Sequence, residues 1–176
     1  MISFDLPSQG FSNCFGCSKT NERGLKLQIK YSDEGCFAQY IIPNELCGFM
    51  GVAHGGVIAT LLDEIAAWTL MTQLFRVGMT VELSIQYLKR VPTNEEITIK
   101  GKIVEHDDKK VYIRSAIYST KKGTLLAEGK SKWLLPNYST IAKVLEINAS
   151  EFEKTMDEFI NPLKKYISEQ RSNNKP

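Results

Sequence analysis

The sequence predicts an α+β domain in which one antiparallel sheet wraps around a single buried helix. Residues 57–75 contain no glycine or proline, and this length is typical of a helix rather than a strand. Apolar residues cover nearly the whole circumference of that segment, as in helices buried at the centre of a domain. Two alternating segments precede it and four follow it. One sheet around one helix satisfies this order.

The chain before the helix predicts a hairpin and a loop. Residues 1–24 are irregular and contain several glycines. Residues 25–31 alternate apolar with polar side chains, and residues 36–42 form a second predicted strand after a turn. Residues 43–53 are mostly apolar or small, so we expect this loop to pack over the site or a partner subunit.

The chain after the helix predicts the rest of the sheet and a helical tail. Alternation and turn residues place four strands at residues 80–89, 96–105, 111–119 and 125–135. We therefore expect one domain over residues 1–136 and a tail over residues 137–176. In the tail, residues 150–153 resemble a capping box, Pro162 is expected to break or kink the helix, and residues 168–176 are expected to fray.

Composition narrows the class of protein. The chain has 176 residues, 43% of them apolar and 24% charged, as in a soluble globular domain. A net charge of +2 without an arginine-rich run argues against a nucleic-acid partner. The longest apolar segment carries two acids, and the N-terminus lacks the pattern of a signal peptide. We therefore expect no membrane partner, a cytoplasmic location and reduced thiols.

Four cysteines raise the question of a metal. Cys14 and Cys17 form a CxxC pair, but Cys36 and Cys47 do not form a second one. Because zinc sites usually show two close pairs, local packing of an N-terminal turn is favoured over metal binding. A redox motif is disfavoured too, since the residues after Cys17 predict a loop rather than a helix.

Two acids, Asp63 and Glu64, interrupt the apolar helix at its middle. A buried carboxylate costs several kcal/mol unless it is paired or hydrogen-bonded. Each acid therefore either has a structural partner or is kept for chemistry.

The helix begins with Gly55 and Gly56. The first N–H groups of a helix have no intrahelical partner and carry the positive end of its dipole. Such an N–H is suited to a carbonyl oxygen that becomes an oxyanion, although two glycines can also form just a tight entry turn.

The spacing of these residues predicts a homodimer. Gly55 and Asp63 are eight residues apart, which is about 12 Å along a helix. Groups acting on one carbonyl must each lie within about 3 Å of their targets. Two antiparallel copies of the helix across a two-fold axis would place Gly55 of one opposite Asp63 of the other.

The strand and helix order, His54-Gly55-Gly56 and an acid nine residues after the histidine together resemble the hotdog-fold acyl-CoA thioesterases. The segments from Cys14 to Leu25 and from His54 to Glu64 are similar to motifs of the PaaI-like branch. The resemblance covers about residues 11–135 and implies the hotdog fold, an acyl-CoA substrate, and a homodimer or a tetramer of dimers.

The resemblance also implies roles for particular residues. Asp63 would be the general base, or less favourably the nucleophile, and Gly55 would offer its N–H to the thioester oxygen. Thr80 matches the Ser/Thr that helps to place the attacking water, and His54 would orient the loop or the carbonyl. Many members carry a polar residue where this chain has Gly48.

The residues beside these, Gly56 and Glu64, are candidates for substrate binding. Glu64 is also a candidate structural or rim residue and the backup base. Asp63 keeps the alternative of a structural acid paired with a hydroxyl of the partner chain. The implied reaction needs no cofactor and no metal.

Two functions compete with thioester hydrolysis. A hotdog hydratase would carry a differently placed Asp/His pair, which the sequence lacks. A non-catalytic acyl-CoA binding or sensing module would keep the fold and the pocket without turnover.

Overall fold

The computed structural model describes residues 2–7 and 13–174, and within them it confirms the predicted α+β arrangement. Seven strands form one antiparallel sheet in the order β1-β2-β3-β7-β8-β9-β6, and two short strands, β4 and β5, form a separate hairpin. The strands are β1 (Ser3–Asp5), β2 (Lys30–Ser32), β3 (Gly35–Ile41), β4 (Cys47–Phe49), β5 (Val52–Ala53), β6 (Met79–Tyr87), β7 (Glu96–His106), β8 (Lys110–Ser119) and β9 (Leu125–Leu134). The helices are α1 (Gly55–Leu74), α2 (Tyr138–Val144) and α3 (Ala149–Asn173), with a 3₁₀ turn at Asn44–Leu46.

The long helix α1 is the centre of the domain. It packs across β3, β7, β8 and β9, and its Leu61, Leu62 and Ile65 are completely buried. It begins where the His54 side chain accepts a hydrogen bond from the N–H of Gly56, and it ends at Phe75 in the left-handed conformation. Burial on most sides explains why its sequence is apolar nearly all round.

By length and composition α1 is also apolar enough to cross a membrane, with a mean hydropathy of 1.2 over its apolar window. More than half of that window, 56%, is buried inside the fold. The hydropathy of α1 therefore matches its place in the core.

The helix lies close to the sheet at Gly101 on β7. A Cβ atom at this position would lie 2.9 Å from the carbonyl oxygen of Ile65 on α1. The Thr69 hydroxyl there donates to that same carbonyl and accepts from the N–H of Cys36 on β3. A glycine is therefore required for α1 to lie this near the sheet.

The region before α1 differs from the prediction in three places. Strand β1 was not predicted, and the strand predicted over residues 25–31 is paired in the sheet only from Lys30 onward. Residues 25–29 still bury alternate side chains, but the N–H groups of Leu25 and Leu27 bond to the turn at residues 14–17. The predicted loop over residues 43–53 contains the β4–β5 hairpin. Residues 8–12 lie outside the described residues, and they include residue 11, where the family resemblance begins.

The four strands predicted after α1 are confirmed, with small shifts at their ends. The tail was predicted less well. Helix α2 was missed, and Asn148 rather than Ser150 caps α3. Pro162 does not break α3, which continues to Asn173 through residues expected to fray.

The tail shares the core of the sheet. Four apolar side chains of α3 are buried: Met156, Ile160, Leu163 and Ile167. Their burial outweighs the missing N–H of Pro162, whose ring faces solvent. The hydroxyl of Tyr166 also donates to the backbone oxygen of Asp5, so α3 holds β1 in place.

Candidate active site

Asp63, the predicted base, and Thr80, the residue predicted to help place the attacking water, meet in the structure. Asp63 lies in the middle of α1, and Thr80 lies at the start of β6, where a bulge interrupts pairing with β9. The Thr80 hydroxyl donates a 3.0 Å hydrogen bond to Oδ1 of Asp63. Burial raises the pKa of Asp63, and the Thr80 hydrogen bond partly opposes this rise. A half-buried carboxylate with a raised pKa is a stronger proton acceptor than an exposed one.

The start of α1 presents one free N–H group. His54 accepts the N–H of Gly56 at 3.0 Å, and its carbonyl oxygen accepts from Val57 and Ile58. Within the described residues, no acceptor takes the N–H of Gly55. This donor at the positive end of the helix dipole is therefore available to a ligand oxygen.

Tyr87 is a further residue of the candidate site, and the sequence alone did not identify it. Its hydroxyl, at the end of β6, donates to the backbone oxygen of Gly55 at 3.1 Å. The same strand thus supports both Asp63, through Thr80, and Gly55, through Tyr87. The alternation of β6 was visible in the sequence, but the contact with Gly55 depends on how β6 lies beside α1.

Gly48, at the position where the family resemblance led us to expect a polar side chain, lies directly over His54. A Cβ atom at Gly48 would approach Cδ2 of His54 to 3.2 Å and its Cα to 3.1 Å. Any larger residue would need His54 to move, so the glycine lets the β4–β5 hairpin close over the start of α1.

Glu64 is not brought to the Asp63–Thr80 pair. Its Oε1 accepts from the indole N–H of Trp68 at 3.0 Å, and its carboxylate contacts the Cys14 thiol at 3.6 and 3.8 Å. Consecutive helical residues point about 100° apart, so Asp63 and Glu64 serve different sides of α1. Burial raises the pKa of Glu64 to about 7, and the hydrogen bond from Cys17 lowers the pKa of Cys14 to about 5. The same bond, with burial, raises the pKa of Cys17.

A single chain does not enclose the predicted site. Gly55 lies at the start of α1 and Asp63 two turns later, about 12 Å along the axis. A concavity of about 1020 Å³ lies over β3, β7 and β8. None of the residues that line it is His54, Gly55, Asp63 or Thr80. Its size therefore does not mark it as the reaction site, since the candidate catalytic groups lie elsewhere.

Sequence comparison confirms the thioesterase resemblance. The thioesterase superfamily matches residues 50–126, which include the start of α1, Asp63, Thr80 and Tyr87. Acyl-coenzyme A thioesterase 13 of Mus musculus is 30% identical over 82 residues, covering 46% of this chain and 59% of that protein. Acyl-coenzyme A thioesterase THEM4 of Rattus norvegicus is 30% identical over 80 residues, covering 46% of this chain and 34% of that protein. The matched stretch thus spans between a third and three fifths of these curated relatives.

Solved structures confirm the hotdog fold. A hypothetical thioesterase protein from Streptococcus pneumoniae TIGR4, solved with coenzyme A, is 25% identical with a TM-score of 0.59 and covers 63% of this chain and 86% of that one. Zebra fish thioesterase superfamily member 2 is 21% identical with the same TM-score, covering 63% of this chain and 82% of that one.

Proposed function

We propose that this chain, whose residues 50–126 match the thioesterase superfamily, hydrolyses acyl-CoA thioesters to a free acid and coenzyme A. The observation that carries the proposal is the pairing of Asp63 with Thr80, together with the free N–H of Gly55. Thioester hydrolysis needs a base for water and a donor for the oxyanion, and these groups supply both.

In the proposed mechanism Asp63 is the general base. Its carboxylate takes a proton from a water molecule whose oxygen attacks the thioester carbon. The carbonyl electron pair moves onto oxygen, where the N–H of Gly55 and the helix dipole stabilise the negative charge. Collapse of this intermediate breaks the C–S bond, and the departing thiolate of coenzyme A receives the proton from Asp63. Thr80 holds the carboxylate in its ionised form, and His54 occupies the neighbouring N–H of Gly56.

The proposed active unit is a homodimer, because one chain holds Gly55 and Asp63 too far apart for one carbonyl. Strand β6 ends the sheet order and exposes apolar side chains, with Val81 51% and Tyr87 54% exposed. Nearby, Phe49 and Met50 at the tip of the β4–β5 hairpin are 71% and 84% exposed. An exposed apolar edge strand invites pairing, and an antiparallel β6 pair is self-complementary across a two-fold axis. Such a pair would bring Gly55 of one chain close to Asp63 of its partner. The proposed location of this dimer is the cytosol.

The first test measures free-thiol release from short, long and aromatic acyl-CoAs. The Asp63→Asn variant preserves shape but cannot accept the proton, so we expect turnover to disappear while the fold and dimer persist. If the wild type hydrolyses none of these thioesters but binds acyl-CoA tightly, the chain is an acyl-CoA binding module and not a thioesterase.

A second test separates the composite site from a site within one chain. Gly55→Pro removes only the proposed N–H donor, because proline is well accepted at the first helical position and His54 already has the extended conformation that precedes proline. We expect a loss of about 10²–10³ in kcat, as for other oxyanion donors. Gly55→Ala is the matched control, since it keeps the N–H and its Cβ would lie 3.4 Å from the Tyr87 hydroxyl.

Mixing the two inactive variants completes the test. In a dimer of Asp63→Asn with Gly55→Pro, one composite site is wild type and the other carries both changes. Random re-association at equal amounts should restore about one quarter of wild-type activity, as two-fold symmetry requires. Absence of any recovery, with mixed dimers demonstrated by mass spectrometry, would place both groups of each site in one chain.

A further inference from the structure

Two cysteines and a glutamate that the proposed reaction does not use meet beside α1. Cys14 and Cys17 come from the turn that follows β1, and Glu64 comes from the middle of α1. One sulfur from each cysteine and one carboxylate oxygen all lie within 4.8 Å of one another. Glu64 lies about 50 positions from the two cysteines in sequence, so only the tertiary fold brings it to them.

We propose that Cys14, Cys17 and Glu64 bind a zinc ion. Thiolate and carboxylate groups are both zinc ligands, with metal distances of about 2.3 Å for sulfur and about 2.1 Å for oxygen. In a tetrahedral arrangement these lengths require about 3.6 Å between a sulfur and an oxygen ligand. The Sγ of Cys14 and Oε2 of Glu64 are 3.6 Å apart, which matches this edge of the tetrahedron.

Backbone hydrogen bonds hold the turn that carries the cysteines. The carbonyl of Phe15 accepts from the N–H of Leu25 at 2.7 Å, and that of Gly16 accepts from Leu27 at 2.9 Å. Within the turn, the N–H of Ser18 bonds to the carbonyl of Cys14 at 3.2 Å. A held backbone loses little freedom on binding, which favours a site over a chance gathering of side chains.

Gly16, between the two cysteines, allows the turn to rest directly on the carboxylate. A Cβ atom at Gly16 would lie 2.7 Å from Cγ of Glu64 and closer still to its carboxylate. Any side chain there would push Glu64 away from the thiols, so the glycine is needed for the three ligands to converge.

The neighbouring groups suit a metal centre as well. The indole N–H of Trp68 donates to Oε1 of Glu64, which orients the carboxylate and leaves Oε2 toward Cys14. A cavity of about 120 Å³, otherwise lined mostly by apolar side chains, adjoins the three ligands. Zinc held by three protein ligands keeps its fourth position for water, and this cavity has room for one. The ion would tie the N-terminal turn to α1 at the residue next to Asp63.

The experiment measures zinc content and cobalt spectra on the full chain. We expect about one zinc per chain after purification without chelator, as for a folded metal site. Replacing zinc by Co²⁺ should give a thiolate-to-cobalt charge-transfer band and the visible d–d bands of tetrahedral coordination. Added zinc should also raise the Tm of the metal-free protein, because an ion that binds only the folded state stabilises it.

The variants separate the site from general thiol chemistry. Cys14→Ser and Cys17→Ser should abolish the charge-transfer band, whereas Cys47→Ser, which alters an exposed thiol outside the cluster, should retain it. Glu64→Gln preserves an oxygen acceptor for Trp68 but removes the anionic ligand, so zinc affinity should fall at least tenfold. These readouts do not depend on thioesterase activity, so their failure would leave the proposed reaction untouched.

Three results would overturn the proposal. Zinc content well below stoichiometry, with no Tm response and no cobalt band in the metal-free wild type, would show that no site exists. Zinc retained in both cysteine variants would place it elsewhere. A Cys14–Cys17 disulfide trapped directly from cells, in protein without metal, would make the pair a redox centre instead.

Discussion

The hydrogen bond between Thr80 and Asp63 can be tested by removing the hydroxyl while keeping the shape of the side chain. Thr80→Val removes a 3.0 Å donor from the carboxylate. Hydrogen bonds to charged groups contribute about 1.5–3 kcal/mol. Because Thr80 is exposed and Asp63 only half-buried, water partly replaces the lost donor, and about 1–1.5 kcal/mol remains. The hydroxyl also fixes the orientation of the carboxylate toward the attacking water, and this positioning is lost with it. At 1.36 kcal/mol per tenfold, we therefore expect kcat to fall about 5–13-fold.

The pH profile of kcat/KM provides an independent readout of the same bond. A general base must be deprotonated, so activity falls as the pH drops through the pKa of Asp63. Without Thr80, burial raises that pKa unopposed, and the acidic limb should move to higher pH. Thr80→Ser keeps the donor and should restore both quantities. Thr98→Val, which breaks an exposed hydroxyl pair with Thr120, is the matched control. An unchanged kcat and an unchanged acidic limb in Thr80→Val would refute the role of this hydroxyl.

Three further predictions concern the packing of α1 against the sheet, the dimer, and the hydrogen bond between Tyr87 and the start of α1. Gly101→Ala would press a Cβ onto an α1 carbonyl at 2.9 Å and should cost about 2–4 kcal/mol, whereas Gly129→Ala, with contacts of 3.4 Å, should cost less than about 1 kcal/mol in chemical denaturation. Val81→Asp on β6 should give a monomer in light scattering and no turnover, while Val104→Asp, at a more exposed valine of β7 (67% against 51%), should stay dimeric and active. Tyr87→Phe loses one hydrogen bond to Gly55, so kcat should fall about 2–10-fold with Tm unchanged, and a wild-type kcat would contradict this role.

Much of the fold was predictable because the spacing of apolar residues in the sequence follows which side chains are buried. Helix α1 and the four strands after it follow directly from apolar periodicity. The same signal misled at residues 25–29, where alternate side chains are buried but the backbone bonds to a turn rather than to a strand. Periodicity reports which side of a segment is covered and not which backbone lies beside it. Pro162 misled in the other direction, because packing of α3 outweighs the local preference of one residue.

The residues of the candidate site also differ in whether the sequence could predict them. Asp63 and the glycines at the start of α1 stood out because polar or flexible residues occupy special places in a regular element, whereas Thr80 was identified only through the family resemblance. The partners of Glu64 did not, because Cys14 and Trp68 reach it from different elements of the fold. For the same reason, one CxxC pair without a second pair did not predict a metal site, since the third proposed ligand lies on a helix far along the chain.

The contact between α3 and β1 has a consequence for how the chain folds during synthesis. Tyr166 and Asp5, joined by a hydrogen bond, are 161 residues apart. Ribosomes add about 5–20 residues per second, so roughly 8–32 s separate the appearance of the two partners. Throughout that interval, Phe4 and Tyr31, which stack on each other, lack the edge contact from Tyr166 that completes their packing. Strands β1 and β2 are therefore the last part of the sheet to gain their full packing. They are the part of the nascent domain that a chaperone would bind.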